Sequence, residues 1–452
     1  MKTKFLLTAV LLACTLIVRA ADPSRLGGDL TPLGGEKAGN ADGSIPAWDG
    51  GITTPPPGYQ PGMHHPDPFT GERPLFTITA ANAAQYADKL TAGQQALLKA
   101  YADYSLPVYP SHRTASNPQR VYEATKQYAT TAALTEGGNG ISGCVLGIPF
   151  SQPENGLQVI WNHLTRYRGI AADRHIGQAA PQRDGSYNLV QFEDEFLFNY
   201  CRDDIAQDAL LQQLATDNVL IYFKQAVTAP ARLAGSILVV HETMDQVKEK
   251  RRAWIYNAGQ RRVRLAPSVE YDNPGTAADG MRTSDQFDMF NGAPALYDWK
   301  LVGKKEMYVP YNSYKLHSDH VKVADILKPL HINQDLTRYE LHRVWVVDAS
   351  LRQGQRHQAP KSRYYCDEDT WQCSLGDRWD ANGQLWKTLW TYSFVTPDLP
   401  GTVSGPMGFN DLLSGTAFIG NLYGSKAQQY VIKPRISDST FTPDALVGEG
   451  VR

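Results

Sequence analysis

The chain has almost no net charge: its 44 Lys and Arg against 46 Asp and Glu leave a formal −2 over 452 residues. So even a balance exerts no global pull toward nucleic acid or an anionic membrane, and function has to be sought in local features. Beyond the first twenty residues the sequence has no apolar run long enough to span a bilayer. It has no GxSxG nucleophile elbow and no P-loop. Its one GxGxxG match, Gly138-Asn-Gly140-Ile-Ser-Gly143, runs into Cys-Val-Leu-Gly-Ile-Pro, which cannot open the helix whose N-terminus would hold a phosphate, so it reads as a loop. His241-Glu-Thr-Met-Asp245 begins like a zincin helix but lacks the second histidine and continues a strand. These absences point away from an enzyme and from a metal or cofactor.

At the N-terminus, Lys2 and Lys4 precede an apolar stretch from Phe5 to Val18 that ends in Val18-Arg19-Ala20. Residues 1–20 read as a secretory signal cleaved after Ala20. Leu11-Leu12-Ala13-Cys14 loosely fits a lipoprotein box that would acylate Cys14, but Leu16, Ile17 and Val18 continue the signal core. Export leaves four cysteines in an oxidising compartment. Cys366 and Cys373 are close in sequence and pair most simply with each other, which leaves Cys144 to Cys201 by elimination.

Residues 21–75 are dense in Gly and Pro and form an extended arm, with Trp48, Phe69 and Phe76 spaced as anchors. Residues 76–452 are a single large domain. Thr91-Ala-Gly-Gln94 is a capping box, and Asn117-Pro118 places an N-cap and first-turn proline before Val121, Ala124 and Tyr128. Further helices are expected over Leu157–Tyr167, stopped by Gly169, and from Asp204 to Ala215. Period-two runs dominate elsewhere: Phe192, Phe196 and Phe198, then Leu341, Trp345 and Val347, then Trp390, Tyr392 and Phe394. The class is α+β, mostly antiparallel, with helices added.

The organising stretch is Gly235–Leu265. It holds a strand at Ile237–Val240, then two short runs, Ala253–Tyr256 and Arg262–Leu265, joined around Asn257-Ala-Gly259 as a hairpin. Alternation puts Trp254 and Tyr256 on one face and Ala253 and Ile255 on the other. Arg251, Arg252, Arg261, Arg262 and Arg264 crowd this hairpin with charge suited to lipid headgroups or an acidic partner surface. His317-Ser-Asp-His320, with His331, reads as a solvated loop, and Asp367-Glu-Asp369 as a turn between strands.

Five stretches carry a resemblance: Leu30–Trp48 (LTPLGGEKAGNADGSIPAW), Gly156–His163 (GLQVIWNH), Arg252–Arg264 (RAWIYNAGQRRVR), Asp298–Asn312 (DWKLVGKKEMYVPYN) and Arg338–Trp345 (RYELHRVW). Together they resemble a bacterial family of unknown function, often labelled outer-membrane lipoprotein-sorting protein and grouped with the LolA and LolB carriers. The resemblance covers roughly Leu26 to Pro443. It implies a strongly curved, unclosed antiparallel barrel whose concave apolar face is covered by helices and accepts acyl chains or another hydrophobic ligand. Family members tend to be encoded beside RND-type inner-membrane exporters and an outer-membrane protein, which implies a shuttle or adaptor in the periplasm of a Gram-negative bacterium, in a lipid or hydrophobic-compound export route. The arm and the Cys366–Cys373 insert have no counterpart in the Lol carriers, and the family implies no catalytic residues.

The expectation is therefore a periplasmic carrier of a lipid, acyl chain or similar molecule, with Trp254, Tyr256, Phe196, Phe198, Trp345, Trp390 and Tyr392 lining its cavity. The alternatives are a cargo-free adaptor that docks membrane partners, which requires a filled core, and a lipid hydrolase, which requires a nucleophile and a histidine in one cleft. Nucleic acid is not expected as a partner.

Overall fold

The computed structural model describes residues 21–266, 272–423 and 430–450, so the expected signal and Cys14 lie outside the described residues. A 16-stranded sheet dominates it, built from two antiparallel meanders. The first contains β1 (Ala171–Ala179), β2 (Val190–Leu197), β3 (Val219–Ala229), β4 (Ile237–Thr243), β5 (Arg252–Asn257) and β6 (Arg262–Leu265), each paired with the next. The second contains β7 (Tyr297–Pro310), β8 (Tyr339–Leu351), β9 (Lys361–Asp367), β10 (Cys373–Trp379), β11 (Leu385–Thr396), β12 (Gly401–Asp411) and β13 (Thr416–Leu422). They join where β13 and β14 (Tyr430–Lys433) both pair with β1. Strands β6 and β7, at the outer ends of the meanders, do not pair with each other, so the curved sheet stays unclosed. Two short strands, Phe76–Ile78 and Leu106–Val108, add beside β8, and Tyr339 opposite Val108 is the parallel contact.

The hairpin β5–β6 forms as its residues dictate. Asn257 opposes Arg262, and the Asn257 carbonyl accepts from the Gln260 and Arg261 amides at 3.2 and 2.8 Å. Helix α1 (Ala92–Ala100) opens on the expected capping box, with Thr91 and Gln94 bonding each other's backbone. Its first turn lies so close to the sheet that a Cβ on Gly93 would fall 2.0 Å from Thr388 Oγ1. Helix α2 (Gln119–Tyr128) begins after Pro118, because the Asn117 amide donates to the Tyr122 hydroxyl and its side chain does not cap. Helix α3 (Gly156–Thr165) is capped by Asn155 and packs on β7 and β8, where Gly156 leaves room for Val347 and the Lys300–Leu301 backbone. Helix α4 (Gln207–Asp217) starts later than Asp204, whose carboxylate is held by Arg202 at 2.8 Å, and it ends on left-handed Asn218. No helix among the described residues is long and apolar enough to cross a membrane.

Residues 21–75 run over the sheet with little regular structure of their own. The Trp48 indole donates to the Ala115 carbonyl at 2.9 Å, and the Trp371 indole donates to the Leu33 carbonyl at 3.0 Å. Phe69 stacks on His112 with ring centres 4.3 Å apart, and buried His65 meets Asp398 at 2.8 Å. Cys366 and Cys373 face each other across β9 and β10 and are joined. The pairing expected by elimination for the other two is corrected: Cys144 and Cys201 are free buried thiols in the main core. Burial pushes both up to about 12, and a reduced cysteine packs there as a small apolar side chain.

Candidate functional site

Strands β2 to β5 are apolar on both faces, so each needs its own cover. On one side Leu197, Ile237, Val239, Tyr256 and half-buried Trp254 pack beneath Phe441 and Leu446, the latter from the C-terminal helix Pro443–Gly450. The opposite parity, Phe196, Ile221, Phe223, Leu238, Val240 and Ile255, faces a cavity of about 280 Å³. That lies near the lower end of the ~300–1,000 Å³ typical of small-molecule sites. Trp161 and Leu164 of α3 close one wall, and the loop between β6 and β7 closes another with Phe287, Phe290 and Arg282.

The lining is largely aromatic. Phe196 stacks on Phe198 with ring centres 5.6 Å apart, and Phe223 lies 4.8 Å from Phe196 and 6.4 Å from Phe287. Several of these side chains are not sealed: Ile221, Phe223, Leu238 and Phe287 are half-buried, and Ile255 keeps 41% of its surface accessible. Accessible apolar surface inside a concavity is what a hydrophobic ligand can cover, at about 25 cal/mol per Å² removed from water.

Charge enters the wall at defined points. The Arg251 guanidinium lies on Glu242 at 2.6 Å and also donates to the Asn291 carbonyl. Asp288 takes both Arg166 at 2.5 Å and Arg168 at 2.9 Å, and these cations hold its carboxyl below the usual range against the effect of burial. His163 is fully buried behind it, with Nε2 2.7 Å from the Asp288 carbonyl oxygen, and burial depresses its pKa to about 3, so it stays neutral. These contacts fix Asp288 and Met289 in the left-handed backbone region, at φ 48° and 70°. Among the described residues no histidine, cysteine or lysine lines the cavity. Its hydroxyls, including Thr243, Thr276 and Ser284, have no histidine base among them, and both carboxylates are held in ion pairs.

The expected lining residues divide. Phe196 and Phe198 reach the cavity. Trp254 and Tyr256 are corrected to the opposite face: alternation along β5 separates them from Ile255 as expected, but Ile255 is the residue that points inward. Trp345 instead stacks on Trp371, with Lys304 Nζ 4.7 Å above its ring. Trp390 and Tyr392 belong to a second core cluster, where the Trp390 indole donates to Asn410 and Tyr392 bonds the Tyr339 hydroxyl. Of the five arginines, Arg261, Arg262 and Arg264 are exposed and Arg252 pairs with Glu249, whereas Arg251 is corrected from a surface group to a cavity-wall ion pair.

The histidine loop is also corrected. His317 is buried against Phe394 and His331 is buried beside Tyr104, and only His320 is exposed. Asp367-Glu-Asp369 is the expected turn, but it is buried and heavily paired. Arg113 grips Asp369 through two bonds of 2.8 and 2.7 Å, while Arg343 and Lys304 hold Glu368. His342, Asp367 and Asp369 bring ligand atoms within 4.8 Å of one another, and both Asp369 oxygens already accept from Arg113. Sequence reasoning missed the loop between β6 and β7 as part of the site. Its signal was Phe287 and Met289-Phe290 set among Gly, Asn and Pro, apolar residues that a free linker seldom carries.

Residues 77–447 match the family described as Protein of unknown function (DUF1329). An uncharacterized protein of Pseudomonas aeruginosa is 52% identical over 100% of this chain and 99% of its own length. Among solved structures, a Vibrio parahaemolyticus domain named for outer membrane lipoprotein sorting aligns with a TM-score of 0.44 at 12% identity, over 65% of this chain and 98% of that one. A DUF1329 family protein from Desulfovibrio piger aligns at 0.39 and 13% identity, over 62% of this chain and 92% of that one. A LolA superfamily protein from Nitrosomonas europaea aligns at 0.37 and 10%, over 65% and 100%.

Proposed function

This chain belongs to the DUF1329 family, and from that premise and its cavity we propose that it is a periplasmic carrier of a hydrophobic ligand, a lipid, acyl chain or similar molecule moving between the inner and outer membranes. One observation carries the reading: a cavity of about 280 Å³ walled by Phe196, Phe198, Phe223, Val240 and Ile255 keeps part of its apolar surface accessible. Transfer of an acyl chain into such a site gains about 0.8 kcal/mol per buried methylene, so a modest chain offsets the cost of ordering it. A cargo-free adaptor predicts a filled core, and this cavity favours the carrier. An RND-type exporter and an outer-membrane protein fit as the partners it exchanges with, and exposed Arg261, Arg262 and Arg264 as the side chains that meet them or the headgroups around them.

The experiment is a titration with the neutral apolar fluorophore N-phenyl-1-naphthylamine. The wild type should bind it with a rise in emission. Phe223→Glu and Ile255→Glu, which place a charge in the cavity, should lose that rise while keeping the wild-type circular dichroism. A wild type that leaves the probe dark even at high concentration contradicts the reading.

A further inference from the structure

The charged groups of the cavity wall do not balance. Three cations line it, Arg168, Arg251 and Arg282, against two carboxylates, Glu242 and Asp288. Glu242 is taken by Arg251, and Asp288 is shared by Arg168 and Arg166, which stands behind it. Arg282 has no carboxylate oxygen within 4.0 Å among the described residues; its close companions are the faces of Phe287 and Phe418, each 5.8 Å away. Asp285, three residues on, is occupied by Arg378 at 3.1 Å, His357 at 3.3 Å and the Thr283 hydroxyl.

The guanidinium is also placed to be reached. Gly275 beside it has no side chain, and a Cβ there would fall 2.7 Å from an Arg282 nitrogen, so the absence of one leaves room for the guanidinium against the wall. Burial lowers the Arg282 pKa to about 10 against the longer-range pull of Asp285 and Asp194, whose carboxylates pair at short range with Arg378 and Arg174 instead. An anion supplied from within the cavity would restore the pairing that the protein itself omits, through two parallel bonds to a planar fork.

We propose that the cavity takes an amphiphile with an anionic head, carboxylate or phosphate, which Arg282 binds while the apolar tail lies along Phe196, Phe223, Val240 and Ile255. The proposal rests on the carrier reading and narrows its ligand class. Thr276 and Ser284 add hydroxyl-bearing side chains to the cavity lining. Because Glu242 and Asp288 are already neutralised by their partners, the site discriminates by the sign of the head and not only by the tail.

The test uses four probes built on a twelve-carbon chain: laurate, lauryl phosphate, lauryl alcohol and lauryltrimethylammonium, each competing against the neutral fluorophore below its micelle concentration. In the wild type, laurate or lauryl phosphate should bind about tenfold or more tightly than lauryl alcohol, and the ammonium most weakly; the better of the two anions identifies the head. Arg282→Leu should bring the anions to the level of the alcohol, and Arg282→Lys should keep part of the preference. Equal binding of anion and alcohol by the wild type, or a preference that survives Arg282→Leu, overturns the assignment of the head while leaving the carrier intact. The wild-type ratio decides this even if a variant does not fold. Failure of all four probes removes the carrier reading itself.

Discussion

At Tyr256 and Ile255 the consequences of strand alternation can be separated. Tyr256 is wholly buried under the C-terminal helix, whereas Ile255 is 41% accessible at the cavity. Tyr256→Ala should therefore cost about 3 kcal/mol of stability by opening a void, read by urea denaturation, and the protein that remains folded should bind the apolar probe as before. Ile255→Glu should do the reverse. If Tyr256→Ala abolished probe binding at unchanged stability, the two faces would be wrongly assigned. A second residue gives a pH signature. Burial raises the carboxyl of Asp377 to about 6, against about 3.9 in an unfolded chain. The native state then binds the proton more tightly than the unfolded state, so this group's contribution falls as pH rises from 4 to 6. Asp377→Asn, which keeps an acceptor for the Gly93 amide at 3.0 Å, should gain up to about 3 kcal/mol relative to wild type between pH 4 and pH 7. A difference between the two proteins that does not vary with pH would contradict it.

At the scale of elements, period and caps made much of the chain legible. The Thr91 box, the β5–β6 hairpin, the turn at Asp367–Asp369 and the Cys366–Cys373 pair are all local in sequence, and the structure contains each of them. The direction in which an alternating strand presents its faces was not legible. Alternation distinguishes Ile255 from Trp254 and Tyr256, but the larger aromatics went to the closed side, because a helix 190 residues away, from Pro443, covers them. Long-range charge pairing was equally hidden: nothing near Asp369 in sequence announces Arg113, 256 residues distant. The pair is buried at both ends, so Arg113→Leu should leave Asp369 uncompensated and cost about 3–5 kcal/mol. An unchanged denaturation midpoint would mean that the arm carbonyls and the Asp369 turn find other partners.

For the whole molecule, an unclosed sheet with one meander folded over a cavity and the other lying beneath residues 21–75 assigns separate tasks to its two halves. The β7–β12 half carries residues 21–75, the disulfide and the buried Arg113–Asp369 pair, and it behaves as scaffold. The β2–β5 half, the loop before β7 and helix α3 make a wall in which accessible apolar surface meets the Arg282 guanidinium. The most direct test of this division is native mass spectrometry of the purified protein, with organic extraction of whatever accompanies it. The account predicts a reproducible adduct of lipid-like mass, present in the wild type and in Trp254→Ala on the far face, and missing from Ile255→Glu. A wild type that flies empty, and stays empty after incubation with lauryl amphiphiles, would contradict it.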